Sequence, residues 1–113
     1  MRQIIEYIDA HIAEPMRIAD LARLVELSSG YLHRALRETT GKTPLGLINE
    51  RRMERAMTLL QRGDHSILEV SLLVGFTSPS HFARVFRNQV GVSPSLYRSA
   101  RGKASEVRNT RNG

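Results

Sequence analysis

Cysteine is absent from the 113 residues, which excludes a disulfide framework, thiol catalysis and any Cys-ligated zinc or iron–sulfur site. Tryptophan is absent too, and aromatic residues make up only 5% of the chain. That is thin for an all-β core or a base-stacking surface. No apolar run approaches the roughly 20 residues of a membrane helix, and the start lacks a signal-peptide core. The expectation is a soluble cytoplasmic chain. Period-two alternation is missing as well, which argues against strands. What remains is ordinary globular composition, 41% hydrophobic and 25% charged, in a length suited to one domain or two small lobes.

Lysine is scarce where basic charge is plentiful. Of 17 basic residues 15 are arginine, against 11 acidic residues, for a net charge of +6. The excess is uneven: residues 1–27 carry −2, residues 28–62 carry +4, residues 63–92 are neutral and residues 93–113 carry +4. A polyanion, most simply nucleic acid, is the implied partner, and arginine's planar fork suits phosphates and guanine edges.

Helix signals punctuate the chain. Ile4, Ile5, Ile8 and Ile12 mark an amphipathic helix over about 2–13, stopped near Pro15. A short helix is expected over about 18–25, with Leu21, Ala22, Leu24 and Val25 inward. Ser28 caps a helix over about 29–40 that Gly41 ends. Thr43-Pro44 opens a long helix to about residue 62. Ser66 and Glu69 form a capping box for a short helix through Val70, Leu73 and Val74. Ser78-Pro79 opens a helix closed by Gly91, and Ser93-Pro94 starts a last one through Tyr97. The expected fold class is all-α with about seven helices: an N-terminal lobe over 1–43, a linker helix over 44–62, a C-terminal lobe over 63–101 and a flexible tail over 102–113.

The strongest signal is an internal repeat. Ser28, Arg34, Arg37, Gly41 and Pro44 return fifty positions later as Ser78, Arg84, Arg87, Gly91 and Pro94. Upstream, Leu21, Leu24 and Val25 match Val70, Leu73 and Val74 at a shift of 49. Each copy is a short helix, a tight turn and a longer helix, which is a helix-turn-helix. With Leu32, Ala35 and Leu36 inward, Gly30, His33, Arg34 and Arg37 form the opposite stripe. With Phe82, Val85, Phe86 and Val90 inward, Ser80, Ala83, Arg84 and Arg87 do the same. An arginine stripe with small neighbours suits a major groove about 12 Å wide. A 19-residue linker helix reaches roughly 28 Å at about 1.5 Å per residue, close to the roughly 34 Å between successive major-groove faces. Two recognition helices on one duplex face, a bent or adjusted complex and a non-palindromic site follow.

These residues resemble the AraC/XylS family of bacterial transcription regulators over about residues 3–100. The family-like stretches are Leu21-Ala22, Ser28-x-x-Tyr31-Leu32-x-Arg34, Gly41-Lys-Thr-Pro44, Arg52-Met53-Glu-Arg-Ala56 and Leu59-Leu60. They continue with Ile67, Val74-Gly75-Phe76, His81-Phe82-Ala-Arg84-Val85-Phe86-Arg87 and Gly91-Val-Ser-Pro94-Ser-Leu-Tyr97-Arg98. The resemblance implies two helix-turn-helix lobes joined by a long helix, binding double-stranded DNA. It implies base-facing positions at Gly30, His33, Arg34, Pro79, Ser80, Ala83 and Arg84. Phosphate contacts are implied at Arg37 and Arg87, with Ser28, Lys42, Ser78 and His81 as further candidates. Arg52 is expected to brace the lobes, and activation further implies contact with RNA polymerase.

The sequence departs from the family pattern at several positions. Gly30 and Pro79 have little to read bases with, so readout leans on His33, Arg34, Ser80 and Arg84. Ser71 stands where alanine is usual, which implies a hydroxyl tucked against a backbone carbonyl. Arg17 replaces a Ser/Thr cap, so the second helix is expected to start loosely. No ligand-binding or oligomerisation domain is recognised, and no small-molecule effector is expected on this segment. The chain reads as a stand-alone regulator or the DNA-binding end of a longer one, at the nucleoid in the cytoplasm.

Other chemistry finds little footing. His11, His33, His65 and His81 lack zinc-like spacing. Glu50 and Glu54, among Arg51, Arg52 and Arg55, read as ion-pair partners rather than an acid–base pair. No cofactor, metal or catalytic constellation is expected. The competing reading is a helical interaction module whose basic face meets an acidic protein.

Overall fold

A computed structural model describes residues 2–100. The expected tail, 102–113, lies outside the described residues. Six helices run over Arg2–Ala10 (α1), Ile18–Leu24 (α2), Ser29–Thr40 (α3), Pro44–Arg62 (α4), Ile67–Leu73 (α5) and Pro79–Val90 (α6). A seventh, α7, covers 94–100, and no strand occurs among the described residues. The chain divides into two compact units at Arg52/Met53, inside α4. Its first nine residues thus belong to one core and the rest to the other.

The first unit packs α1, α2, α3 and the start of α4 around Ile4, Ile8, Leu21, Ala22, Leu32, Leu36, Leu47 and Ile48. Ile12 packs against this core, and Ile5 is half-buried. α1 stops at Ala10 rather than near 13, and residues 11–13 form a turn. The His11 ring meets the Tyr7 carbonyl at 2.8 Å, and Arg52 takes the carbonyls of Ile12 and Glu14 at 3.2 and 2.9 Å. The Tyr7 carbonyl also accepts the helical bond from His11 N–H at 3.0 Å, while Arg52 satisfies the carbonyls of Ile12 and Glu14. The two bonds from Arg52 to these carbonyls lie within the first unit. Burial pushes its guanidinium down from the ordinary value, and the two carbonyls supply what a half-buried cation needs.

The second unit packs the rest of α4 with α5, α6 and α7 around Met53, Ala56, Leu59, Leu60, Val70, Val74, Phe76, Phe82 and Phe86. Its aromatic rings touch in a chain. Phe76 meets Phe82 at 5.5 Å, Phe82 meets Phe86 at 5.8 Å, and Phe86 meets Tyr97 at 5.5 Å between centroids. Such tilted contacts add to area burial. From α7, the Tyr97 hydroxyl accepts from Gln61 at 2.7 Å, and Arg98 donates to the His65 carbonyl.

Two apolar residues expected inward lie at the surface: Leu24 is 39% exposed and Leu73 is 42% exposed. The inner positions of these seven-residue helices go to Leu21 and Ala22 in one copy and to Val70 and Ser71 in the other. Ser71 is fully buried, its hydroxyl donating to the Leu68 carbonyl at 2.7 Å. That is the tucked geometry its sequence context implied.

The two helix-turn-helix turns share one hydrogen-bond pattern. Glu26 N–H donates to the Arg23 carbonyl and Leu27 N–H to that of Ala22. Gly75 N–H donates to Leu72 and Phe76 N–H to Ser71, 49 positions on. This double bond closes a helix whose following residue is left-handed. Glu26 takes that role at φ 56° and Gly75 at φ 93°.

Candidate nucleic-acid interface

The longer helix of each copy is fixed at both ends. Ser28 Oγ accepts from Tyr31 N–H at 3.1 Å, and Ser78 Oγ accepts from His81 N–H at 3.2 Å. Gly41 and Gly91 end the helices in left-handed conformations at φ 76° and 100°. Their N–H groups donate to the carbonyls of Arg37 and Arg87. Burial then sets the rotation. Leu32 and Leu36 in α3, and Phe82 and Phe86 in α6, are at most 2% exposed. The opposite faces must point to solvent.

On α3 that solvent face carries Gly30, His33, Arg34 and Arg37, all exposed. They line a shallow surface concavity together with Ser29, Glu38 and Ile18, the last from α2. On α6 the exposed residues are Pro79, Ser80, His81, Arg84 and Arg87, with Ala83 half-buried beside them. Among the described residues no carboxylate lies within ion-pair distance of Arg34, Arg37, Arg84 or Arg87. Four guanidinium groups at matching positions are thus available to an external anion.

The remaining candidates are more committed within the chain. Lys42 Nζ lies 2.8 Å from a Glu50 carboxylate oxygen. The His81 ring stands edge-on to Phe76 at 5.3 Å. Ser28 and Ser78 use their oxygens as caps, although each hydroxyl keeps its O–H donor. Pattern reading missed Ile18, Ser29 and Glu38. Glu38 lies one turn beyond Arg34, a signal the sequence does contain. Ile18 comes from the preceding helix, where no local periodicity reveals it.

α2 starts without a side-chain acceptor at its cap, because Arg17 has none. Only the reciprocal bond forms: Arg17 N–H donates to Asp20 Oδ2 at 3.3 Å. α5 has the full box. Glu69 N–H donates to Ser66 Oγ at 3.0 Å and Ser66 N–H donates to Glu69 Oε1 at 2.7 Å. Those bonds hold the Glu69 carboxyl below the usual range, with a minor contribution from His65.

Among the described residues no cluster of three or more His, Asp or Glu side chains could hold a metal ion. No helix there is long and apolar enough to cross a membrane.

Known proteins share this arrangement. A family model described as "Helix-turn-helix domain" matches residues 21–100. The HTH-type transcriptional activator RhaS of Salmonella schwarzengrund is 34% identical over 101 residues, covering 89% of this chain and 36% of that protein. The chain therefore spans about a third of the length of the curated relatives it matches. A transcriptional regulator of Chromobacterium violaceum, with an AraC-type DNA-binding domain, superposes with a TM-score of 0.83 at 32% identity. That match covers 88% of this chain and 89% of the other. The DNA-binding domain of AdpA, solved with a target DNA, gives a TM-score of 0.82 at 31% identity over 98% of this chain and 95% of its own. Two matching helix-turn-helix units and these relatives lead to one assignment: the chain belongs to the AraC/XylS family of transcription regulators, as a DNA-binding domain of that family.

Proposed function

We propose that this chain regulates transcription by placing α3 and α6 in successive major grooves of a non-palindromic DNA site. His33, Arg34, Ser80 and Arg84 read base edges, while Gly30, Pro79 and Ala83 let the helix backbones approach. Arg37 and Arg87 hold phosphates, assisted by the hydroxyls of Ser28 and Ser78 and by His81. Lys42 joins them by exchanging Glu50 for a phosphate. The chain acts by binding rather than by catalysis, at the nucleoid in the cytoplasm, and contacts RNA polymerase when it activates.

One observation carries this reading. Among the described residues no carboxylate pairs with Arg34, Arg37, Arg84 or Arg87, which stand at matching places on the exposed faces of two helices fifty positions apart. A solvated surface has no reason to repeat that placement, whereas two grooves of one duplex do.

Selection from a random duplex library, followed by a salt titration, tests it. The expected result is one asymmetric preferred sequence, with log K falling steeply as salt rises. Binding without sequence preference would favour the acidic-protein reading of the basic face.

A further inference from the structure

Gly30 has no structural reason to be glycine. It is the second residue of α3, exposed, and not in the left-handed region. A Cβ added to it would meet no atom within 4 Å. Glycine weakens a helix relative to alanine, and no neighbour within the folded chain requires one here.

The missing side chain opens a hollow. Ile18, 37% exposed, borders the concavity that Gly30 shares with His33 and Arg34. The second copy is built differently: Ile67, the counterpart of Ile18, packs against the core, and Ser80 takes the place of Gly30. In the first unit an apolar isoleucine thus sits beside a guanidinium and an imidazole, with empty space above the helix backbone.

That combination selects among base edges. In the major groove thymine alone presents a methyl group, next to the O4 acceptor. Cytosine presents an amino donor, which neither Arg34 nor a hydrophobic contact rewards. Guanine and adenine offer acceptors at N7 but no methyl to fill the hollow.

We infer that Ile18 is a specificity-determining residue: a thymine 5-methyl group seats against it in the space left by Gly30, while His33 or Arg34 donates to O4. This rests on the reading that α3 enters the major groove.

Deoxyuridine substitution tests the inference, because it removes the methyl group and nothing else. Each thymine of the selected site is replaced in turn, and binding of the 113-residue chain is measured. In the half-site whose preference Arg34→Ala relaxes, one thymine should lose affinity on the order of fourfold when replaced, the weight of one methyl group. In Ile18→Ala that position should bind thymine and deoxyuridine alike. Gly30→Leu, whose side chain takes up space left open at position 30, should also abolish the difference. The thymine-to-deoxyuridine ratio is internal to each variant, so a general loss of stability or affinity cancels. The inference is overturned if that half-site contains no thymine, if no replacement in it matters, or if the sensitivity survives in either variant. A chain that selects no sequence at all overturns the DNA reading as well.

Discussion

Glu26 and Gly75 occupy the same left-handed position in the two helix-turn-helix turns, at φ 56° and 93°. Glycine adopts this conformation at little steric cost, whereas a residue with a Cβ is strained by roughly 1–2 kcal/mol. Part of that strain is offset because glycine loses more chain entropy on folding. Glu26→Gly should therefore stabilise the protein by about 0.5–1 kcal/mol. Gly75→Ala should destabilise it by about 1 kcal/mol or more. Urea unfolding of both variants checks the pair, and the two effects must have opposite signs.

Arg51 grips Asp9 through two parallel bonds, Nε to Oδ1 at 2.9 Å and Nη2 to Oδ2 at 2.8 Å. The pair ties α4 to α1 across 42 positions of sequence. Both side chains are partly exposed, at 28% and 44%, so solvent screening limits its worth. A double-mutant cycle with Asp9→Ala and Arg51→Ala should give a coupling of roughly 0.5–1 kcal/mol. The coupling should shrink in high salt; a value near zero at low salt would remove the pair from the account of the first unit.

Glu69 gives the capping box a pH dependence. Its carboxyl is held below the ordinary value, first by the Ser66 backbone bond and then by the Ser66 hydroxyl. A depressed folded value means the stabilisation is fully present above the unfolded value, about 4.3, and is lost as pH falls through the folded one. Wild type should therefore exceed Glu69→Gln in stability near neutral pH, and the two should converge as pH falls through the depressed folded value. A difference independent of pH would assign the effect to packing rather than charge.

Helix ends were highly legible because their chemistry is local. Ser28, Ser66 and Ser78, and Gly41 and Gly91, act within four residues of themselves, and each caps where its sequence context places it. The longer helices were legible because twelve residues sample the helical period more than three times. The seven-residue helices α2 and α5 sample it twice, so hydrophobicity misassigns their faces. Leu21, Ala22, Val70 and Val74 are buried as read, but Leu24 and Leu73, also read inward, are exposed, and polar Ser71 takes a buried place. The Asp9–Arg51 and Arg52–Ile12 contacts join elements about forty positions apart. No periodic pattern encodes them. On the candidate interface, the stripe on α3 came from its own period. Ile18 reaches the same concavity from α2, and only tertiary packing brings it there.

In the proposed complex α3 and α6 read separate parts of one site. The direct measurement is the base preference of Arg34→Ala and Arg84→Ala, determined position by position on the selected sequence, with unfolding curves as a control. Each substitution should cost about 1–3 kcal/mol in binding and relax preference at its own base positions, the two sets lying roughly one helical turn apart. If both variants relax preference at the same positions, the two-groove account is wrong.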